Sequence, residues 1–155
     1  MLRSTPATQA LDRLAIPYRL FEHARVPESL EQAARDRGQA PEQVIRSLLF
    51  RLAQGQFILV LVSGPQQVSW PKLRAYLGVS RISMASEQEV LEFTGYPIGA
   101  VGPLGLAHPV RLLASMGVFE PEELSIGSGV RGLAILLKST DLQKALENVE
   151  ILPEG

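Results

Sequence analysis

Between Thr94 and Gly105 the chain reads Thr-Gly-Tyr-Pro-Ile-Gly-Ala-Val-Gly-Pro-Leu-Gly, placing four glycines and two prolines in twelve residues with apolar side chains between them. Glycine permits positive φ and close backbone approach, while proline fixes the chain and withdraws a donor. A segment of this kind is neither a flexible linker nor an ordinary strand. Two readings stand. In one, Ile98–Val101 is a strand kinked by a bulge. In the other, the segment is an apolar loop that holds free N–H groups against a small ligand. Gly99 carries the weight of the second reading, because any side chain there would occupy the ligand's space.

The rest of the chain limits what such a loop could serve. At 155 residues it reads as one domain, spanning 1–155 and long enough to bury a core unaided. A hydrophobic fraction of 46% and a charged fraction of 20% are those of an ordinary soluble protein. Cysteine is absent, which excludes disulfides, thiolate nucleophiles and cysteine-based zinc sites. The two histidines, His23 and His108, stand far apart, so no histidine-rich metal site is expected. The N-terminus lacks a basic-plus-apolar leader and no run approaches membrane-spanning length, so the expected location is the cytoplasm, with no membrane partner. A net charge of −1 gives no strong overall field for nucleic acid. The cations are nonetheless twelve arginines against three lysines. They reflect either compositional habit or forks gathered for phosphate on one face.

Local signals outline a mixed α+β fold. Ser4-Thr5-Pro6 opens a helix that ends near Ile16, and Tyr18–His23 alternates as a strand. Ser29–Arg37 reads as a helix stopped by Gly38, and Pro41 begins another through about Ile45. Ser47–Leu52, a turn at Gln54-Gly55 and Phe57–Val62 form a hairpin whose second arm is buried on both faces. A helix over Pro71–Leu77, a strand over Ser80–Met84 and a boxed helix from Ser86 to Gly95 follow. Further strands are expected at Ile98–Val101, Val110–Leu113, Leu124–Ile126 and Leu133–Leu137, with a last helix opened by Thr140-Asp141-Leu142-Gln143. So many strands with irregularly placed helices point to a mixed sheet with peripheral helices.

No catalytic triad is legible, and G-x-S-x-G is absent. The three aspartates sit on helix faces or at a helix start, and most glutamates read as solvated surface. The residues therefore do not announce side-chain acid–base catalysis.

A second glycine cluster, Gly127-Ser128-Gly129-Val130-Arg131-Gly132-Leu133, precedes a strand-like run. Taken with Thr94-Gly95-Tyr96 and Gly99-x-x-x-Pro103-Leu104-Gly105, it resembles the YbaK/ProX family of aminoacyl-tRNA deacylases. The similarity extends through Thr5-Pro6-Ala7, His23, Ile45-Arg46-Ser47-Leu48-Leu49 and Thr140-Asp141-Leu142, in order over nearly the whole chain. The resemblance implies a barrel-like central sheet. It also implies hydrolysis, in trans, of the ester joining a wrong amino acid to tRNA, by backbone groups and the substrate's own ribose hydroxyl. No metal or organic cofactor is implied. The partners implied are a mischarged tRNA 3′ end and a prolyl-tRNA synthetase.

The catalytic set implied is Arg46 with the loop Gly99, Ala100, Val101, Gly102 and Pro103. The substrate-binding set is Tyr18, His23, Ser47, Phe50, Ile98, Ser115, Gly129 and Arg131. For Tyr18, Phe50 and Ile98 a plain core role competes with ligand contact, and for Arg131 a structural salt bridge does. Arg46 departs from the family's lysine, Gly102 from its serine and Ser115 from its aspartate. These departures leave open a rival: a module of the same fold that binds aminoacyl-tRNA or nucleotide without cutting.

Overall fold

Capping side chains set most helix boundaries in the computed structural model, which describes residues 4–53 and 55–153. Thr5 caps α1 (Pro6–Arg13), where its hydroxyl accepts from Thr8 N and Thr8 Oγ1 accepts in return from Thr5 N. Ser29 caps α2 (Leu30–Arg37), and Gly38 ends it in the left-handed region at φ 69°. Ser69 caps α3 (Trp70–Leu77), and Ser86 with Glu89 boxes α4 (Glu87–Thr94). Pro41 does not open a full helix. Pro41–Gln43 is a single 3-10 turn, because the chain must extend by Ile45 to enter the sheet. Nor does Thr140 cap the last helix, α5 (Ser139–Ala145). The helix starts two residues sooner, with Lys138 at its cap position and no side-chain bond there.

The strands form two sheets. Strands β2 (Ile45–Leu52) and β3 (Phe57–Ser63) are the antiparallel hairpin read from the sequence, though Gln54 of its turn lies outside the described residues. β3 then pairs in parallel with β5 (Arg111–Ala114), which pairs in parallel with the short β8 (Glu150–Ile151). β4 (Ile82–Met84) adds to the free side of β2, giving the order β4-β2-β3-β5-β8. The smaller sheet is antiparallel in the order β1-β7-β6, from β1 (Arg19–Glu22), β6 (Glu123–Gly127) and β7 (Leu133–Lys138). From Ile58 to Ser63 every residue of β3 is buried. That follows from its central place and its covered faces.

Barrel closure, which the family resemblance led us to expect, is not found among the described residues. Backbone pairing between the two sheets is limited to one isolated parallel bridge, Val44 to Ser125, and β1, β4 and β8 remain unpaired edges. The physical reason lies in the glycine segment. Ile98–Val101 forms turns rather than the strand expected there, so it cannot carry pairing from one sheet to the other.

Three apolar clusters hold the layers. One joins α1 and α5 to the smaller sheet through Leu11, Leu124, Ile126, Ile135 and Leu142. A second packs Phe50, Val60, Val62 and Leu113 on Leu73 of α3. A third places Leu49 and Leu59 against Ala85 and Val90. Each fully buried aliphatic side chain contributes about 1.5–3 kcal/mol relative to exposure. Together they hold the open seam between the two sheets in a fixed shape.

Candidate functional site

A cavity of about 460 Å³ occupies that seam. Its walls come from α2, from β2 between Val44 and Leu49, from Met84 and Ala85 at the end of β4, from Ile98–Val101, and from Ile126 through Leu133. The seam exists because β2 changes partners. The residue just before it, Val44, makes a single backbone bridge to β6, and β2 itself pairs with β4 only from about Leu49, whose carbonyl accepts Ala85 N at 3.0 Å. In an antiparallel ladder alternate residues point their main-chain groups to opposite neighbours. Ser47, two residues from Leu49, therefore aims its N–H and C=O into the gap. Its side chain lines the same cavity. Among the described residues Ser47 Oγ is the buried side-chain polar atom that has no hydrogen-bond partner. A buried hydroxyl left unpaired costs about 1–3 kcal/mol, and such atoms mark places where a ligand or water completes the pairing.

The opposite wall is main chain. The two glycine clusters lock together there. A Cβ on Gly102 would lie 2.1 Å from Gly127 O, and one on Gly127 would lie 2.3 Å from Val101 O. Gly129 N donates to Ala100 O at 2.9 Å, and Arg131 Nε donates to Ile98 O at 2.9 Å. Tyr96 fastens the arrangement from beneath, its hydroxyl donating to Leu104 O at 2.7 Å. Burial pushes that phenol up to about 12. Gly99 takes φ 88°, and a Cβ there would meet only Arg131 Nε at 3.5 Å. Its glycine is required by backbone conformation more than by space. Ala100 N donates to Pro97 O, which leaves the N–H groups of Gly99 and Val101 as the loop's candidate donors.

The charged residues of the cavity wall are Arg37, Arg46 and Arg131, with no carboxylate among them. Arg46 belongs to the wall, yet its guanidinium is engaged: Nε donates to Gly64 O at 2.7 Å and Nη2 donates to Gln66 O. Arg37 was not singled out from the sequence. It lies in the last turn of α2, where a cation ordinarily faces the helix dipole and solvent, so no local signal marks it. Burial draws its guanidinium below the ordinary value, opposed by Asp36. Val26, Met84 and Ile98 are exposed apolar residues that also belong to the cavity wall.

Of the residues expected to bind substrate or act on it, the wall brings together Arg46, Ser47, Ile98, Gly99, Ala100, Val101 and Arg131. Gly102 and Pro103 are buried behind it. Phe50 packs in the core edge-on to Trp70, and Tyr18 donates to Asp12 Oδ1 at 3.0 Å. Ser115 donates to Leu61 O, and Gly129 sits under the Tyr96 ring, 2.7 Å from where its Cβ would be. His23 is buried between Asp36 and Arg37. None of these five lines the cavity. Among the described residues no three His, Cys, Asp or Glu side chains converge as metal ligands do.

A model of the aminoacyl-tRNA editing domain matches residues 24–145. The chain belongs to this family. Within it, the chain is of the YbaK/ProX-like kind. Curated relatives of this editing domain are proline–tRNA ligases. That of Kosmotoga olearia is 37% identical over 92 residues, covering 59% of this chain and 16% of the ligase. That of Thermosipho africanus is 35% identical over 99 residues, covering 64% and 17%. The chain thus spans about a sixth of the length of these ligases. Among solved structures, a candidate trans-editing enzyme for prolyl tRNA synthetase superposes with a TM-score of 0.86 at 24% identity, over 99% of this chain and all of that one. A hypothetical protein superposes with a TM-score of 0.85 at 19% identity, over 95% and 97%. These two likenesses establish the fold. No helix among the described residues is long and apolar enough to cross a membrane.

Proposed function

We propose that this editing domain is a deacylase acting in trans on mischarged tRNA, with a tRNA for proline carrying a small amino acid as its substrate. The observation that carries the reading is the unpartnered Ser47 Oγ, in a cavity wall that also includes Gly99 and Val101, whose N–H groups are the candidate donors. An aminoacyl ester is already activated. Donors aimed at its developing oxyanion, together with a water positioned by the substrate's ribose hydroxyl, are enough for hydrolysis. The wall has no carboxylate to act as a base, which fits a reaction that recruits the substrate's own hydroxyl. The exposed Val26, Met84 and Ile98 offer an apolar rim for a terminal base. The stretches shared with proline–tRNA ligases support the prolyl context and make such a synthetase the natural partner. Editing is needed because one methylene in an apolar pocket discriminates by only about 1–3 kcal/mol.

The test is a deacylation screen of the isolated chain, with no synthetase added, against a panel of mischarged tRNAs, followed by Ser47→Ala on the best substrate. Removing a hydroxyl that has no partner should leave Tm unchanged or raise it slightly. The same change should lower kcat/KM about tenfold or more. Absence of turnover on every tRNA would refute the enzymatic reading. One feature favours the second reading, recognition without cleavage: the Arg46 guanidinium is already held by two carbonyls and cannot lose its proton. Tight binding of aminoacyl-tRNA without turnover would establish it.

A further inference from the structure

Arg37 is the cavity cation with the least reason to be there. Arg46 holds two main-chain carbonyls and Arg131 holds one. Arg37 instead bonds two neutral side chains. Its Nε donates to His23 Nε2 at 3.0 Å and its Nη1 donates to Ser125 Oγ at 2.9 Å. Among the described residues it forms no ion pair. Its hydrogen bonds go to neutral acceptors, and the carboxylate that acts on it, Asp36, is bonded to His23 and not to the guanidinium itself, so the charge is only partly offset and has room for an anion.

The partners also fix its direction. His23 can accept from Arg37 only through a bare Nε2, so the imidazole proton lies on Nδ1, where Asp36 Oδ2 accepts it at 3.0 Å. The His23 ring is fully buried and edge-on to Phe21, so it cannot turn. Ser125, receiving Arg37 on one side, donates to Gln39 Oε1 at 2.8 Å. Two of the guanidinium's three nitrogens are therefore anchored, and Nη2 is the one left without a partner among the described residues. Arg37 is a preset fork in a cavity whose wall lacks negative charge.

We propose that Arg37 is the residue that holds an anionic oxygen of the ligand, with His23 and Asp36 as its positioning residues. The oxygen is assigned to a phosphodiester of a nucleic-acid 3′ end, and this assignment rests on the editing reading above.

The experiment is binding of an RNA minihelix ending in unpaired CCA, followed by fluorescence anisotropy at several salt concentrations. Arg37→Met should weaken binding about tenfold or more. It should also make the slope of log K against log salt shallower by about 0.7, the loss of one phosphate contact on a single strand. Arg37→Lys should keep the slope and recover part of the affinity. His23→Phe should lower affinity with the slope unchanged, since the charge remains but is misdirected. His23→Gln, which can still accept from Arg37 and donate to Asp36, should restore part of it. Wild-type affinity and slope in Arg37→Met overturn the proposal, as does failure of the unaltered protein to bind the minihelix. Should Arg37→Met fail to fold, phenylglyoxal modification of the unaltered protein decides. Minihelix protection of Arg37 supports the assignment, and equal labelling with and without RNA overturns it. Absence of turnover in the deacylation screen refutes hydrolysis alone and leaves this binding result intact.

Discussion

Arg46 donates to the carbonyls of Gly64 and Gln66, so its guanidinium ties the segment after β3 to the middle of the larger sheet. Arg46→Ala removes two charge-assisted bonds and strands two acceptors. We expect a loss of about 2–4 kcal/mol in denaturant unfolding. Arg46→Lys, with one compact donor head, should recover about half. An unchanged midpoint in Arg46→Ala would mean that the two carbonyls find water at no cost. The sequence marks Arg46 as a notable position and suggests little effect on stability. The carbonyl partners point to a larger effect, and the sequence could not show them because a partner eighteen residues away leaves no local trace. Ser47, by contrast, is legible beside Arg46 in the same motif. What the sequence does not show is that its hydroxyl lacks a partner, a property that depends on every neighbour at once. Arg37 is hidden for a related reason: Arg35-Asp36-Arg37 looks like a solvated helix end until His23 and Ser125 are seen to close over it.

The glycine loop and the start of the second cluster behave as one element although about twenty-five residues separate them. Gly102 and Gly127 touch backbone to backbone. Gly102→Ala forces its Cβ to 2.1 Å from a carbonyl oxygen, which no side-chain rotation relieves. We expect loss of cooperative unfolding or a destabilisation above about 3 kcal/mol. Gly99→Ala meets only Arg131 Nε, at an ordinary contact distance of 3.5 Å, but must hold φ 88°, at a cost of about 1–2 kcal/mol. Thermal melts of the two variants side by side check the contrast, and similar Tm values would contradict it. Helix ends were legible because capping is local: Ser29, Gly38, Ser86 and Gly95 each act within four residues. Glycine density was legible as well. Its cause was not, because the sequence suggests a ligand's space at Gly99 while the tightest contacts lie at Gly102 and Gly127.

Across the whole molecule, the larger sheet is finished at its far edge by an ionic clasp. Arg111 Nε and Nη2 donate to Glu150 at 2.6 and 2.8 Å, and Tyr76 donates to the same carboxylate at 2.8 Å. The Arg111 guanidinium holds Glu150 down from 4.5 to about 2. A carboxylate whose folded value is depressed stabilises the protein above its unfolded value. That contribution is lost as pH falls from about 4.5 through about 2. Glu150→Gln should therefore lower stability at neutral pH, by under about 1 kcal/mol for so exposed a group. The two proteins should converge near pH 2, and a difference that persisted there would contradict the clasp. β8 itself was missed, since two residues carry no periodicity. The two-sheet arrangement was out of reach as well: it turns on Ile98–Val101 forming turns where a strand was expected, with a single isolated bridge left between Val44 and Ser125. The interlocked glycines also bear on how this pocket could change its taste. Behind the loop side of the wall main chain presses on main chain at Gly102 and Gly127, and a side chain added there displaces the wall before it reshapes it. New selectivity has to be written on the other side, where Leu30, Leu48 and Met84 present side chains that can be exchanged one at a time. One side of the pocket is held by backbone contacts, and the other is open to revision one side chain at a time.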